Sequence, residues 1–242
     1  MQFDPPLISG RLVARYKRFF ADVELDDGTH ITAHCANTGA MTGVAEPGAR
    51  VWLSDSGNPK RKLRHSWEMI EARPGHLVGI HTNRANNLVE EALTQGKIAE
   101  LTGYANIRRE VAYGQTDAKT GRKTSRIDFL LEAENAPPAY LEVKSVTLSR
   151  NDGLAEFPDT KTARGVKHLQ ELAAQAKNGD RAVMLFLVQR DDCRKFAIAR
   201  DLDPDYAQRF VEARANGVET ICYSCKMSPE EISVQRTLDI IV

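Results

Sequence analysis

Asp128, Glu142 and Lys144 are the residues of this sequence whose types and spacing could do chemistry. They lie in SRIDFLLEAENAPPAYLEVKSVTL, residues 125 to 148, where two apolar runs, RIDFLL and YLEVKSV, flank a polar connection containing Pro137 and Pro138. That pattern predicts two strands joined by a loop. Alternate residues of a strand share a face, so Tyr140, Glu142 and Lys144 point one way and Leu141, Val143 and Ser145 the other. Glu142 and Lys144 then sit side by side, about 6.6 Å apart along the strand. With Asp128 on a neighbouring strand, two carboxylates can converge into an oxygen site suited to Mg²⁺ or Mn²⁺, which take one or two carboxylates plus waters and phosphate oxygens. The Lys144 ammonium can orient an attacking water or stabilise charge on a pentavalent phosphorus, while a metal lowers the water's pKa. The same residues also suit a plainer arrangement, a charge pair on a strand surface and an aspartate capping a strand.

The elements that must position these residues follow from the rest of the chain. Its 242 residues exceed a typical single domain. The first 80 or so predict short strands, LISGRLVARY, FADVEL, HITAHC, RVWLSDSG and WEMIEARPG, with turns at Asp26-Asp27-Gly28 and Glu46-Pro47-Gly48. A small β-barrel or sandwich is expected there. After His81, NRANNLVEEALTQGKIAEL places Leu88, Ala92, Ile98 and Leu101 at helical spacing, with Asn86 or Asn87 available as an N-cap. A strand RREVAYG precedes the charged pair. TARGVKHLQELAAQA follows it as an amphipathic helix, RAVMLFLVQR as a central strand covered on both faces, then PDYAQRFVEARANG as a helix and VETICYSCK as a strand. The boundary falls near residues 80 to 86, giving a β-rich unit over 1–82 and an α/β unit over 83–242.

Charge excludes a globally basic binder, because 33 basic and 33 acidic residues balance, so an acidic partner must be met by a local patch. No run of 18 apolar residues exists and MQFDPPLISGR lacks the plan of a secretory signal, so no membrane partner is expected and a cytoplasmic location is. Cys35, Cys193, Cys222 and Cys225 are too few and scattered for a disulfide framework. Cys222 and Cys225 form a C-x-x-C without a second ligand pair, which favours core thiols over a zinc site. There is no G-x-G-x-x-G, Walker loop or serine elbow, so neither an organic cofactor nor a small-molecule substrate is indicated.

The D…ExK arrangement of Asp128, Glu142 and Lys144, between a helix carrying Glu90-Glu91 and a later helix, resembles the PD-(D/E)xK nuclease superfamily. In that plan an upstream helical glutamate joins the metal site, so the resemblance implies a metal set of Glu91, Asp128 and Glu142. Ile127 stands where the superfamily often has proline. More closely, HCANTGAMTG, NPKRKLRHSWE, NNLVEEAL, SRIDFLL, YLEVKSVTL and FPDTKTARGVKHLQEL, in order from about residue 7 to residue 225, resemble the sugar fermentation stimulation protein A family. That family places its acidic residue directly before the alanine of the first helix, which selects Glu91 over Glu90. Ala36 replaces the usual proline of the HC-P-NTG segment, and QTDAKTGRKT before Ser125 is longer than usual. The resemblance implies an α/β protein, α+β overall, with an N-terminal OB-like barrel and a C-terminal nuclease-like α/β domain. It also implies DNA binding with little sequence preference and a link to regulation of maltose metabolism.

Candidate DNA contacts fall in four groups. Lys60, Arg61, Lys62 and Arg64 form the densest basic cluster, ahead of Trp67. Arg15, Lys17 and Arg18 lie among Tyr16, Phe19 and Phe20, a mixture that suits a groove tracking phosphates while bases stack, although aromatics in a small barrel are more often core. His34 and Asn37, in the small polar segment HCANTG, could cradle a phosphate or simply form a tight turn. Arg164, Lys167 and His168 share the polar side of a helix and could clamp a scissile phosphate, unless Lys167 is taken by Glu171 four residues on. Two functions remain: a DNA-binding protein retaining a metal-dependent phosphodiesterase site, and a DNA-binding regulator in which that site is vestigial.

Overall fold

A computed structural model describes residues 1–116 and 119–241. The chain opens with β1 (Ile8–Tyr16), β2 (Phe20–Leu25), β3 (His30–His34), β4 (Arg50–Asp55), β5 (His65–Arg73) and β6 (His76–Gly79). The first five close into a barrel: β1 pairs with β2 and β4, β2 with β3, β4 with β5, and a parallel bridge from His34 to Ser66 joins β3 to β5. Inward residues alternate along these strands, as Leu12, Ala21, Val23, Ala33, Val51, Leu53 and Trp67 do, and all are buried. Gly28 and Gly48 occupy the two expected turns at φ +85°, a conformation that costs a side chain but not glycine.

The second unit begins with α1 (Arg84–Thr94) and continues through β7 (Asn106–Thr116), β8 (Lys123–Ala133), β9 (Ala136–Val146), β10 (Leu148–Asn151), β11 (Leu154–Phe157), α2 (Ala163–Lys177), β12 (Arg181–Val188), β13 (Lys195–Ile198), α3 (Pro204–Ala215), β14 (Glu219–Met227), β15 (Ile232–Thr237) and β16 (Asp239–Ile241). Its main sheet runs β15-β14-β12-β9-β8-β7, with β9, β12 and β14 parallel. β12 lies between β9 and β14 and buries every residue after Arg181, as its unbroken apolar run requires. Leu88, Val89 and Ala92 of α1 pack on one face against Phe129, Leu141 and Leu185, whereas Leu169 and Leu172 of α2 and Phe210 of α3 pack on the other against Ile127, Met184 and Phe186. Among the described residues no helix is long and apolar enough to cross a membrane.

Two expectations need correction, and two features of the second unit go beyond the sequence reading. Pro137 and Pro138 lie inside β9, after a turn at Glu134 and Asn135. They are tolerated because β12 pairs with β9 only from Ala139 onward, so no donor is missed there. The N-cap of α1 is Asn83, which places Asn86 within the helix. Cys225 joins the α1-side core as Ile221 and Tyr223 do, but Cys222 joins the opposite core, so the two buried thiols face opposite sides of β14. A small sheet, β10-β11-β13-β16, escaped the sequence pattern because its strands run only three or four residues.

Candidate functional site

β7 and β8 both change phase at one level of the sheet. Arg109 stacks over Phe129 and bonds to Asn87 and Glu90 on the α1 side, while Val111 and Tyr113, two and four residues on, pack on the α2 side. Across the ladder, Phe129 belongs to the α1 core and Ile127 to the α2 core. Since alternate strand residues normally share a face, the alternation breaks at the two residues between, Glu110 and Asp128. Glu110 carries the break in its backbone, with φ +52° in the left-handed region that non-glycine residues seldom adopt.

β8 also parts from β9 at this level. Their ladder runs from the turn to Phe129 opposite Leu141, and there it ends. Beyond it, Asp128 Oδ2 accepts from the Val143 backbone N–H at 2.8 Å, so a side chain takes the place of the next rung. Asp128 Oδ1 accepts from Asn86 Nδ2 of α1 at 2.9 Å. The carboxylate is thus held between a helix and a split in the sheet, and it meets Glu142 there.

Glu142 is buried, at 2% exposure. Its Oε1 accepts from Lys144 Nζ at 2.6 Å and from His168 Nδ1 on α2. His168 Nε2 accepts from Arg164 Nε at 3.3 Å, and the ring stands between Arg164 and Glu142 with Lys144 Nζ 3.1 Å from its Nδ1. Glu142 Oε2 is buried with no partner. Burial raises the Glu142 pKa, but the His168 hydrogen bond and the Lys144 charge outweigh it and hold the group below its ordinary value. Asp128 goes the other way: burial, then the charge of Glu142, lift it above the ordinary value against the pull of Val143 N–H, Asn86 and Lys144. Two acids pushed apart in this way, one by desolvation and repulsion and one by cationic partners, mark a candidate reaction centre. They line a pocket of about 240 Å³ with Thr82, Asn83, Ser145 and Arg164.

The predicted trio Asp128, Glu142 and Lys144 is therefore one cluster. Glu91 is not part of it. Its carboxylate binds the Met1 ammonium at 2.6 Å and lies beside Gln95. Five helical positions separate Glu91 from Asn86, about 140° around the axis, so the two cannot face the same strand. Glu90 is likewise engaged elsewhere, with Arg109 at 2.9 Å. Among the described residues no group of three His, Cys, Asp or Glu side chains is arranged to hold a metal ion. The two carboxylates present, one with an unpartnered buried oxygen, nonetheless fit a cation that keeps most of its waters, as Mg²⁺ does.

The candidate DNA contacts divide. Arg164 and His168 both line the pocket, and His168 is bonded there to Glu142. Lys167 donates to the Thr124 carbonyl at 2.9 Å and lies 3.6 Å from Glu171. Arg15 donates to the Asn37 and Gly39 carbonyls, each at 3.0 Å, and so pins the barrel to the loop after β3. In that loop Asn37 is buried, and its Oδ1 accepts from Gly39 N–H, the turn geometry foreseen as the plainer option. Lys17 and Arg18 form the tip between β1 and β2, flanked by the exposed side chains of Tyr16 and Phe19. Trp67, in contrast, is core, and its indole N–H donates to the Met69 carbonyl. Lys60, Arg61 and Lys62 are exposed, while Arg64 is committed to Asp55 by three hydrogen bonds. His34 and Arg61 line a hollow that shares Asn83 with the reaction pocket, and Arg18 and Asn37 line another that shares Thr82 and Ser145 with it. The barrel's polar side thus adjoins the cluster. Sequence reasoning missed Asn86 as a site residue: it stands in the quoted helix, where its type suggested only a cap.

A closed five-stranded barrel joined to an α/β unit, with a buried acid, lysine and histidine where the sheet splits, defines a two-domain protein of OB-barrel and α/β type. Residues 13–80 match the SfsA N-terminal OB domain, and residues 83–231 match the sugar fermentation stimulation protein RE domain. The chain belongs to the sugar fermentation stimulation protein family. It is 54% identical over 98% of its length to the sugar fermentation stimulation protein homolog of Maricaulis maris, covering 97% of that protein. With the homolog of Paramagnetospirillum magneticum it is 52% identical, over 97% of this chain and 95% of the other. Among solved structures it is similar to Pyrococcus furiosus SfsA in complex with Ca²⁺, at 26% identity and a TM-score of 0.88, covering 100% of this chain and 98% of that one.

Proposed function

We propose that this protein binds DNA with little sequence preference and hydrolyses a phosphodiester bond at the Asp128, Glu142 and Lys144 cluster. The observation that carries the reading is Glu142 Oε2, a buried carboxylate oxygen with no partner, in a pocket shared with the half-buried Asp128 carboxylate and beside Lys144. An unpaired buried acceptor costs about 1–3 kcal/mol unless something meets it. A divalent cation is what two converging carboxylates can share, and the Ca²⁺ of the Pyrococcus furiosus relative supports that choice.

Asp128 and Glu142 would hold the cation, and once bound it would supply Lewis acidity, polarising a phosphate oxygen and lowering the pKa of a water. Lys144 stands at the same spot to orient that water or meet the charge developing on phosphorus. His168 keeps Glu142 ionised and aimed, and Asn86 aims Asp128 and opposes the rise of its pKa. Arg164, on the pocket wall, can pair with a phosphate oxygen. The adjoining hollows with Arg18, Asn37, His34 and Arg61 would carry the DNA backbone past the site.

A second reading rests on Glu142 Oε1, which already takes hydrogen bonds from both Lys144 and His168. A closed cluster of that kind can be a vestigial site in a protein that only binds DNA. One assay separates the two: incubation of single-stranded and duplex DNA with Mg²⁺ or Mn²⁺, with Glu142→Gln as control. Cleavage by the wild type and none by the variant supports hydrolysis. Intact DNA, together with a melting temperature indifferent to divalent ions, leaves the binding protein alone.

A further inference from the structure

Next to the reaction pocket lies a larger hollow of about 610 Å³, between the β7–β8 hairpin and α2. Arg122, Lys123, Arg126, Arg164 and Lys167 line it, and all five are exposed. Among the described residues two carboxylates stand against these five cations, Glu110 on the rim and Glu171 near Lys167. The cations are held largely by neutral acceptors. Lys123 donates to the Gly114 carbonyl at 3.1 Å, Arg126 to the Glu110 carbonyl at 2.7 Å, and Lys167 to the Thr124 carbonyl at 2.9 Å. Bonds of this kind fix where a cation sits without cancelling its charge. The hollow is therefore both preorganised and electropositive, and such a concavity gathers anions.

Its position says which anion. Arg164 and His168 line this hollow and the reaction pocket alike, so a polyanion engaged at one continues into the other. The Arg126 anchor depends on the phase change at Glu110, whose left-handed backbone presents its carbonyl to the guanidinium. The break that delivers Asp128 to the cluster thereby also sets a wall of the hollow. We propose that this hollow is a second phosphate site, which holds an internal backbone phosphate of the nucleic acid flanking the phosphate at Asp128 and Glu142. The assignment rests on the nucleic-acid reading of the neighbouring site, but its chemistry is that of a phosphate oxyanion and can be probed without DNA.

The test uses the full chain and the triple variant Arg122→Ala, Lys123→Ala and Arg126→Ala, all at exposed positions outside the lining of the Asp128 and Glu142 pocket. With divalent ions chelated, inorganic pyrophosphate should raise the melting temperature of the wild type and leave the variant unmoved. In a DNA titration the variant's dependence of log K on log salt should be shallower by about 0.7, the contribution of one phosphate contact on a single strand. Circular, 5′-hydroxyl and 5′-phosphorylated single strands should compete equally, as an internal phosphate requires. Tighter binding only with a 5′-phosphate would overturn the backbone assignment in favour of end recognition. If pyrophosphate shifts the variant as much as the wild type, or the salt slopes coincide, the hollow is not a phosphate site. Stabilisation by Mn²⁺ reads the carboxylates alone, so its loss would count against the reaction site, while the response to pyrophosphate reads this hollow by itself.

Discussion

Asn86 Nδ2 of α1 donates to Asp128 Oδ1 at 2.9 Å, so the helix meets the acid of the sheet with an amide. This bond helps hold the charge of Asp128 against burial and the nearby Glu142. Asn86→Ala should cost about 1–2 kcal/mol in urea unfolding, the usual scale for leaving a buried acceptor short of a donor. Asn86→Asp should cost more without divalent ions, because it sets a third carboxylate beside two others, and Mn²⁺ should restore much of the loss. Equal stability of Asn86→Asp with and without Mn²⁺ would argue that no cation is shared there.

Glu91 and Glu142 make a matched pair of controls. Glu142→Gln should abolish any rise in melting temperature on adding Mg²⁺ or Mn²⁺. Glu91→Ala should keep that rise and lose only its bond to the Met1 ammonium, a partly exposed pair worth about 0–1 kcal/mol. A Glu91→Ala protein that no longer responds to the ion would restore Glu91 to the metal set.

Lys144→Ala should separate ion binding from chemistry. The amine is placed for the water and the developing phosphorus charge, so the ion-induced rise in melting temperature should survive while cleavage falls by a factor of about 10² or more. Cleavage at the wild-type rate would remove Lys144 from the mechanism.

In the barrel's basic run, Arg64 is already paired with Asp55, whose pKa its hydrogen bonds hold well below the carboxylate range. Lys60 and Lys62 are exposed, with no salt bridge among the described residues. Lys60→Ala with Lys62→Ala should therefore flatten the salt dependence of duplex binding by nearly two, at about 0.9 per phosphate, whereas Arg64→Ala should change it by less than one. The reverse order would point to exchange of Arg64 from Asp55 onto the DNA.

His81 lies at the junction of barrel and α/β unit, with its Nδ1 buried and unpartnered. Burial lowers its pKa from the ordinary 6.5, against a smaller opposing pull from Glu68. A depressed histidine binds its proton less readily in the folded state, so its contribution to stability is intact above the ordinary value. It is lost as pH falls from there through the folded-state pKa. His81→Gln should flatten the acid side of the stability profile below pH 6.5, measured by urea unfolding across that range. Parallel profiles for variant and wild type would exclude this group as the cause.

How much of this was legible beforehand depends on how far apart the interacting residues are. A β-rich first unit, barrel or sandwich, and an α/β second unit follow from turns and periodicity, which are properties of a few neighbouring residues; the OB-like barrel came from the family resemblance. The same is true of Glu142 and Lys144, because a strand's two-residue period puts them on one face wherever the strand is placed. Asp128 was legible as a second carboxylate on a neighbouring strand, whereas Glu91 came only from the motif resemblance.

Only the tertiary structure decided the rest. Asp128 reaches the cluster because β7 and β8 change phase together at Glu110 and because β8 parts from β9 just there, and neither event has a signature in RREVAYG or RIDFLL. The acidic residue expected on α1 was displaced because a helix turns 100° per residue, so the sheet that α1 packs on selects Asn86 and leaves Glu91 to the chain's own terminus. His168 looked like one more cation on a polar helix face until α2 was laid over β9, which buried it against Glu142. Where a strand or helix runs unbroken, the sequence alone determined which side chains share its face, since that is set by backbone period. Which face meets which could come only from packing, since burial of the Leu88, Val89 and Leu172 stripes settles the orientation of each helix for every polar residue it carries.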